Sequence, residues 1–560
     1  MKIYDISQVP EGLRPKTYEE YLISGYTAGY DDGYEAGKDA CKDYKDMYLT
    51  IEAIEDGRIN WGNEKSIKYR INKGEWISLL SGNINLSAGD IVEFCGNENS
   101  YSGSHFRTPI GKFIVYGNIM SLFYEHDFAD KKEFRVESGN CANMFYECSG
   151  LTDASNLILP ATSLRPHSYT GMFNRCTSLT GAPALPAVSL TYKVGVAINP
   201  ALYCYAAMFA GCTSLETAPD LPATILAPSC YNQMFTDCTA LLNVPELPAT
   251  DLKEGCYHTM FKGCTSLVTG PDTLPATTMQ TSCYYSMFKG CTSLTTAPTI
   301  SATTLAEGCC ASMFSGCTSL ENVQKVLPAT TLTTSCYQKM FYDCRTLVSA
   351  PELPATELAQ SCYDGMFGKC ISLTKAPELP ATELAYNCYQ GMFNGCTSLT
   401  EAPELPATEL LGSCYYGMFS NCTNLVSAPE LPATELASSC YRRMFIGCSS
   451  LTTAPALPAT RIRDYCYAQM FSDCINLTEA PELPAQRVER YSYSEMFARC
   501  RKLNYIRCMA TDISAENATN LWVYLVAETG TFEKELEMED WTRGVHGIPV
   551  NWNVVDHIEG

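Results

Sequence analysis

The sequence predicts an α/β solenoid of about 14 repeats of 26 residues, with an N-terminal helix and a small β-sandwich before it and a cap after it. Three observations point there. A cysteine following a Met-Phe pair recurs at positions 148, 176, 212, 238, 264, 291, 317, 344, 370, 396, 422, 448, 474 and 500. In most units a second cysteine stands eight residues earlier, as Cys388 stands before Cys396. A proline-bounded segment such as Ala402-Pro403-Glu404-Leu405-Pro406 separates one unit from the next. A unit this short cannot bury its apolar face alone, whereas stacked copies can.

Residues 1–46 carry Gly25-Tyr26, Gly29-Tyr30, Gly33-Tyr34 and Gly37, a glycine every four residues. On a helix this gives a glycine stripe beside a tyrosine stripe. Glycine costs about 1 kcal/mol relative to alanine inside a helix, so a close-packed partner backbone is expected there. That makes the segment an anchoring or oligomerisation face; the competing reading is a flexible linker. Residues 47–135 alternate as short strands, in Tyr48–Trp61, Ile67–Ile71 and Asp90–Phe94, with turns at Asp56-Gly57 and Asn72-Lys73-Gly74. They predict a small sandwich.

In the solenoid, residues 136–505, the segment from Pro380 to Phe393 places Leu384, Cys388 and Met392 four apart, with Tyr389 and Phe393 beside them. This spacing predicts one helix of about three turns per unit. Thr382 is its expected cap and Gly395 its stop. The following stretch is too rich in proline for a helix and reads as a short extended rung. Cys388, Met392, Phe393 and Cys396 are the expected core of the unit. The step from Cys176 to Cys212 is longer than the others, and the extra residues lie near Leu190–Pro200, including Tyr192 and Lys193. Insertions in solenoids fall in surface loops, some tolerated and some binding. After residue 505 the style changes, and 506–560 is expected to cap the stack. Residues 512–526 predict an amphipathic helix there, capped by Asp512 or Ser514.

The cysteines do not spell out chemistry. Eight residues along a helix span about 12 Å, and a disulfide needs Cα atoms within about 7 Å. The opening residues show no apolar leader core, so no oxidising compartment is expected. The spacing is not that of zinc ligands and no histidine accompanies it. Buried free thiols, used as small apolar residues, are the expectation. No nucleophile elbow, zinc-protease, P-loop or dinucleotide motif occurs, so no enzyme is predicted. The net charge of −22 speaks against nucleic-acid binding, and no run of apolar residues is long enough to span a membrane.

The surface feature that stands out is acidic. Glu352, Glu378, Glu404 and Glu430 occupy one position of successive units, and Glu357, Glu383, Glu409 and Glu435 another. Such rows can hold calcium, face a basic partner or keep the solenoid soluble. The tyrosines that follow the first cysteine could stack on sugars, but their fixed place beside it favours a core spine.

The pattern L-x-x-A-P-x-L-P…C-Y-x-x-M-F-x-G-C-T-S-L resembles the BspA-like leucine-rich repeat of Bacteroidetes surface proteins and their phages, over about residues 140–505. The resemblance implies a leucine-rich-repeat-type α/β solenoid used for recognition. It implies a virion fibre or appendage that contacts a host surface glycan or protein. Its N-terminus would attach to a virion structural protein, and the subunit would form a homo-oligomer. A bacterial cell-surface adhesin is the alternative. The 26-residue unit and the second cysteine column depart from the family pattern.

Overall fold

The computed structural model describes residues 44–62, 65–98, 101, 105–134, 139–538 and 541–557. The Gly-Tyr segment (Gly25 to Gly37) lies outside them. Residues 44–560 form one compact unit.

Eight strands open this unit: β1 (Leu49–Ala53), β2 (Gly57–Gly62), β3 (Ile67–Ile71), β4 (Ile77–Leu79), β5 (Gly82–Leu86), β6 (Ile91–Cys95), β7 (His105–Ile110) and β8 (Phe113–Asn118). A short helix, α1 (Ser121–Tyr124), follows, then β9 (Leu151–Asp153) and β10 (Leu157–Ile158). One sheet runs β10-β8-β1-β6-β3-β4, with β9 also on β8; a second runs β5-β2-β7. The alternating strands are present, but they do not make a free-standing sandwich. β8 is antiparallel to β1 and parallel to β10, with Leu157 opposite Gly117. The first coil of the solenoid is therefore hydrogen-bonded into the N-terminal sheet.

The coils themselves overturn the predicted helix. Among the described residues α1 is the only α-helix. In residues 387–396 the amide groups alternate between two partners. Tyr389 N–H donates to Cys414 O (3.0 Å), Gly391 to Tyr416 (2.8 Å), Phe393 to Met418 (2.9 Å) and Gly395 to Ser420 (2.7 Å), all in the next coil. Those between them close turns within the coil: Gln390 donates to Asn387 O (3.2 Å), Met392 to Tyr389 (3.2 Å) and Asn394 to Gly391 (3.0 Å). The geometry requires a left-handed residue every fourth position, met here by Asn387 (φ 57°), Gly391 (φ 56°) and Gly395 (φ 77°). A right-handed helix has no place for such residues. What repeats is a ladder of tight turns, locked coil to coil.

Two parallel columns of isolated bridges tie the rest of many coils to a neighbour. Thr269 pairs with Thr296 in one, and Thr331, Glu357 and Glu383 pair in succession in the other. Between Cys212 and Cys500 the step is 26 or 27 residues throughout, about 11 regular turns. The longer step after Cys176 is taken up by a hairpin of β11 (Thr191–Val194) and β12 (Ala197–Pro200). A single two-residue ladder joins β13 (Thr273–Leu274) to β14 (Thr299–Ile300). Residues 512–526 are not a helix either. They form another turn ladder, with Asn517, Leu521 and Leu525 left-handed. A parallel sheet of β15 (Tyr505–Cys508), β16 (Thr531–Lys534) and β17 (Asn553–Asp556) completes the chain.

The core is columnar. Cys388, Met392, Phe393 and Cys396 are fully buried. Phe393 stacks on Phe367 and Phe419 at 5.8 and 5.6 Å between ring centres, and Tyr389 on Tyr415 at 5.8 Å. Such pairs add about 0.5–1.5 kcal/mol each beyond area burial. The phenylalanine column begins on Phe106 of β7, and the tyrosine column ends on Trp522 and then Trp541.

Candidate functional site

The thiols are structural. Cys396 Sγ donates to Phe367 O of the preceding coil at 3.1 Å, and Cys422 Sγ donates likewise to Phe393 O at 3.1 Å. The same carbonyl also accepts from its own coil, as Phe367 O does from Cys370 N (3.0 Å). The column of Cys396 and Cys422 thus fills the remaining lone pair of a buried carbonyl, a duty that alanine cannot perform. Every described cysteine is buried. Burial pushes the Cys388, Cys370 and Cys422 thiols up to about 12, and Cys396 well above its ordinary value. None of these four is a reactive thiolate at neutral pH.

The eight glutamates are exposed. Glu352 pairs with Lys325 (3.5 Å) and Glu435 with Arg461 (3.1 Å). Glu378, Glu404, Glu430, Glu357, Glu383 and Glu409 have no ion-pair partner among the described residues. Residues 346–435 hold ten acidic side chains and two basic ones. The first row edges a run of open grooves. Pro377 and Pro380, and Pro403 and Pro406, have no N–H to donate, and the residues 377–380 and 403–406 form no strands. A groove of 430 Å³ lies between residues 375–380 and 401–406. It shares a wall with a groove of 530 Å³ toward Ser349–Pro354, and another wall with one of 430 Å³ toward Pro429–Pro432. The result is a trough along successive coils, floored by alanine and proline and edged by glutamate.

The second row, Glu357 to Glu435, follows the bridge column, where Glu357 lies directly opposite Glu383. The described residues contain no group of three or more His, Cys, Asp or Glu that could hold a metal ion. Sequence reasoning missed Lys375 and Glu401, which line the trough; both depart from the repeat at a variable position, and that departure was the available signal.

Tyr192 is half-buried under the Arg165 guanidinium, which sits 4.6 Å from its ring centre, and Lys193 is exposed. None of the hairpin's residues lines the trough. Its tip exposes Val194 (58%), Val196 (104%) and Ile198 (66%).

The model of the BspA type leucine-rich repeat region matches in six copies, over residues 231–374, 281–425 and 387–518, together more than half of the chain. This chain belongs to the BspA-type leucine-rich-repeat family. No curated protein and no solved structure matches it. Within a BspA-type solenoid, fourfold-spaced turns hold the interior constant while the trough varies outside, an arrangement suited to binding another macromolecule. No helix among the described residues is long and apolar enough to cross a membrane.

Proposed function

We propose that this BspA-type protein is a non-enzymatic recognition module that offers its acidic proline trough to a basic partner at a cell surface. The observation that carries the reading is the coincidence of three adjoining grooves with a row of glutamates over the same coils, of which Glu378, Glu404 and Glu430 have no ion-pair partner among the described residues. A leucine-rich-repeat solenoid is typically a binding scaffold rather than a catalyst. The trough repeats at the coil spacing, so a partner with regularly placed cations would gain contacts with each coil it crosses.

The setting we favour is a virion fibre or appendage of a Bacteroidetes phage, projecting from a homo-oligomeric base attached by residues 1–46. The fit of the repeat pattern to proteins of that kind supports it. Mass spectrometry of purified virions and of washed cell envelopes tests the setting. Recovery with intact virions is expected; recovery only from the surface of the producing cell would replace the fibre with an adhesin. Binding of the labelled chain to host cells tests the trough. Replacing Glu378 and Glu404 together with lysine should abolish salt-sensitive binding, and undiminished binding would remove the trough from the interface.

A further inference from the structure

A second concavity lies on the turn ladder, away from the proline rungs. It has a volume of 340 Å³ and is lined by residues of five consecutive coils. Its origin is one column of left-handed positions, Lys339, Gly365, Gly391, Gly417 and Arg443. Three glycines in succession remove the side chains that Lys339 and Arg443 supply at either end, and a trench opens over them. Asp364, Gln390 and Tyr416 line one side; Tyr342, Asn394 and Ser420 line the other.

These walls are built. Tyr342 lies against Gly368, where an added Cβ would come within 2.8 Å of the ring, so a side chain there would displace it. Arg443 donates to the Tyr416 hydroxyl at 3.3 Å. Asp364 is 9% exposed, accepts from Gln338 Nε2 at 2.7 Å, and has a pKa raised by burial. Ser420 is 4% exposed and held by donating to Arg443 O at 2.9 Å. Two half-buried aromatic rings stand among amides, a carboxylate and a hydroxyl, with Lys369 over the Tyr342 ring at 5.4 Å and Arg442 over the Tyr416 ring at 5.7 Å.

We infer that this trench binds an oligosaccharide. A sugar ring has apolar C–H faces and an equator of hydroxyls that both donate and accept. Tyr342 and Tyr416 supply surfaces for the first. Gln390, Asn394, Asn421 and Asp364 supply donors and acceptors for the second. The volume falls in the range of ligand clefts, about 300–1,000 Å³. A bound peptide would need apolar anchor pockets, and Ile446 is the one aliphatic side chain longer than alanine in the lining. The inference names a ligand class for the recognition role proposed above and so rests on it, but it uses a different face.

The glycine column provides a clean test. Lys339, Arg443 and Gln469 hold the same left-handed conformation (φ 53°, 59° and 57°), so the backbone accepts a side chain there. At Gly391 an added Cβ would meet nothing closer than Asn394 Cβ at 3.9 Å. Gly391→Gln should therefore fold, at the modest cost of a left-handed non-glycine residue, and fill the trench. The labelled full-length chain is screened on a microarray of neutral and acidic oligosaccharides, and the best binder is titrated by calorimetry. Gly391→Gln and Tyr416→Ala should each weaken binding at least about tenfold, with Gly391→Gln still unfolding cooperatively and only slightly below the parent's melting temperature, while Glu404→Gln binds as the parent does. Absence of binding to every oligosaccharide overturns the inference, as does binding indifferent to Gly391→Gln. Binding of array peptides alone, abolished by Gly391→Gln, overturns the ligand class. Loss in Glu404→Gln but not in Gly391→Gln overturns the trench while leaving the trough reading intact, and recovery with virions tests the setting separately.

Discussion

The turn ladder and the proline rung are two parts of the same 26-residue coil, and they are held in opposite ways. In the ladder every other amide reaches the next coil, and buried columns of Tyr, Cys, Met and Phe run beneath it. In the rungs at residues 375–380 and 401–406 the prolines cannot donate to a neighbouring coil, and grooves open between coils. The ladder supplies order; the rung supplies accessible surface. Stability and recognition can therefore be perturbed separately, and four experiments sharpen or break that separation.

The largest effect expected is alkaline collapse of the ladder. The folded thiols of Cys370, Cys388 and Cys422 titrate at about 12 against an ordinary value of 9.0. Burial favours their neutral form, so the folded chain keeps protons that the unfolded chain releases. The stabilisation is complete below about pH 9 and is lost as pH rises toward 12. Each tenfold preference of the folded thiol for its proton is worth about 1.4 kcal/mol. Repeated over many coils, this should lower the melting temperature steeply between pH 9 and 11, followed by circular dichroism. A flat profile would mean the columns are not buried as described.

Next is Phe393→Ala, which removes one ring from a column stacked on both sides. A loss of about 3–5 kcal/mol is expected, measured by urea unfolding and concentrated in the neighbouring coils by hydrogen exchange. A smaller loss is expected for Cys396→Ala. It deletes the Sγ donor to Phe367 O, but that carbonyl keeps its bond from Cys370 N, so the cost should be about 1 kcal/mol. A cost comparable to Phe393→Ala would show that the thiol column carries more than a single weak bond. The smallest effect is on the rung: Glu378→Gln should move stability by less than about 0.5 kcal/mol, since the side chain is exposed and unpaired. A large shift would tie the rung to the fold and end the contrast.

Much of this was legible in the sequence. The period, the buried identity of Cys388, Met392, Phe393 and Cys396, and the exposure of the eight glutamates all follow from which positions are apolar in every unit. The helix prediction failed for a specific reason. Apolar residues four apart suit one face of a helix, but they suit a four-residue turn ladder equally well. The distinguishing signal was the recurrence of Asn387, Gly391 and Gly395 at that same spacing, residues that tolerate left-handed backbone. In other coils Lys339, Arg443 and Tyr465 take those places, which hides the signal in any one unit.

The trench and the trough were not legible at all. Each combines residues 26 positions apart, and its depth depends on what the neighbouring coils carry in the same column. Gly391 means little alone; between Gly365 and Gly417, with Lys339 and Arg443 at the ends, it becomes the floor of a cavity. The sequence by itself determined the repeat, its buried columns and its acidic exterior, because burial and charge are properties of single residues in a fixed period. Only the tertiary structure decided turn over helix and groove over flat wall. Both depend on where each amide finds its partner, and here every second one finds it in the next coil.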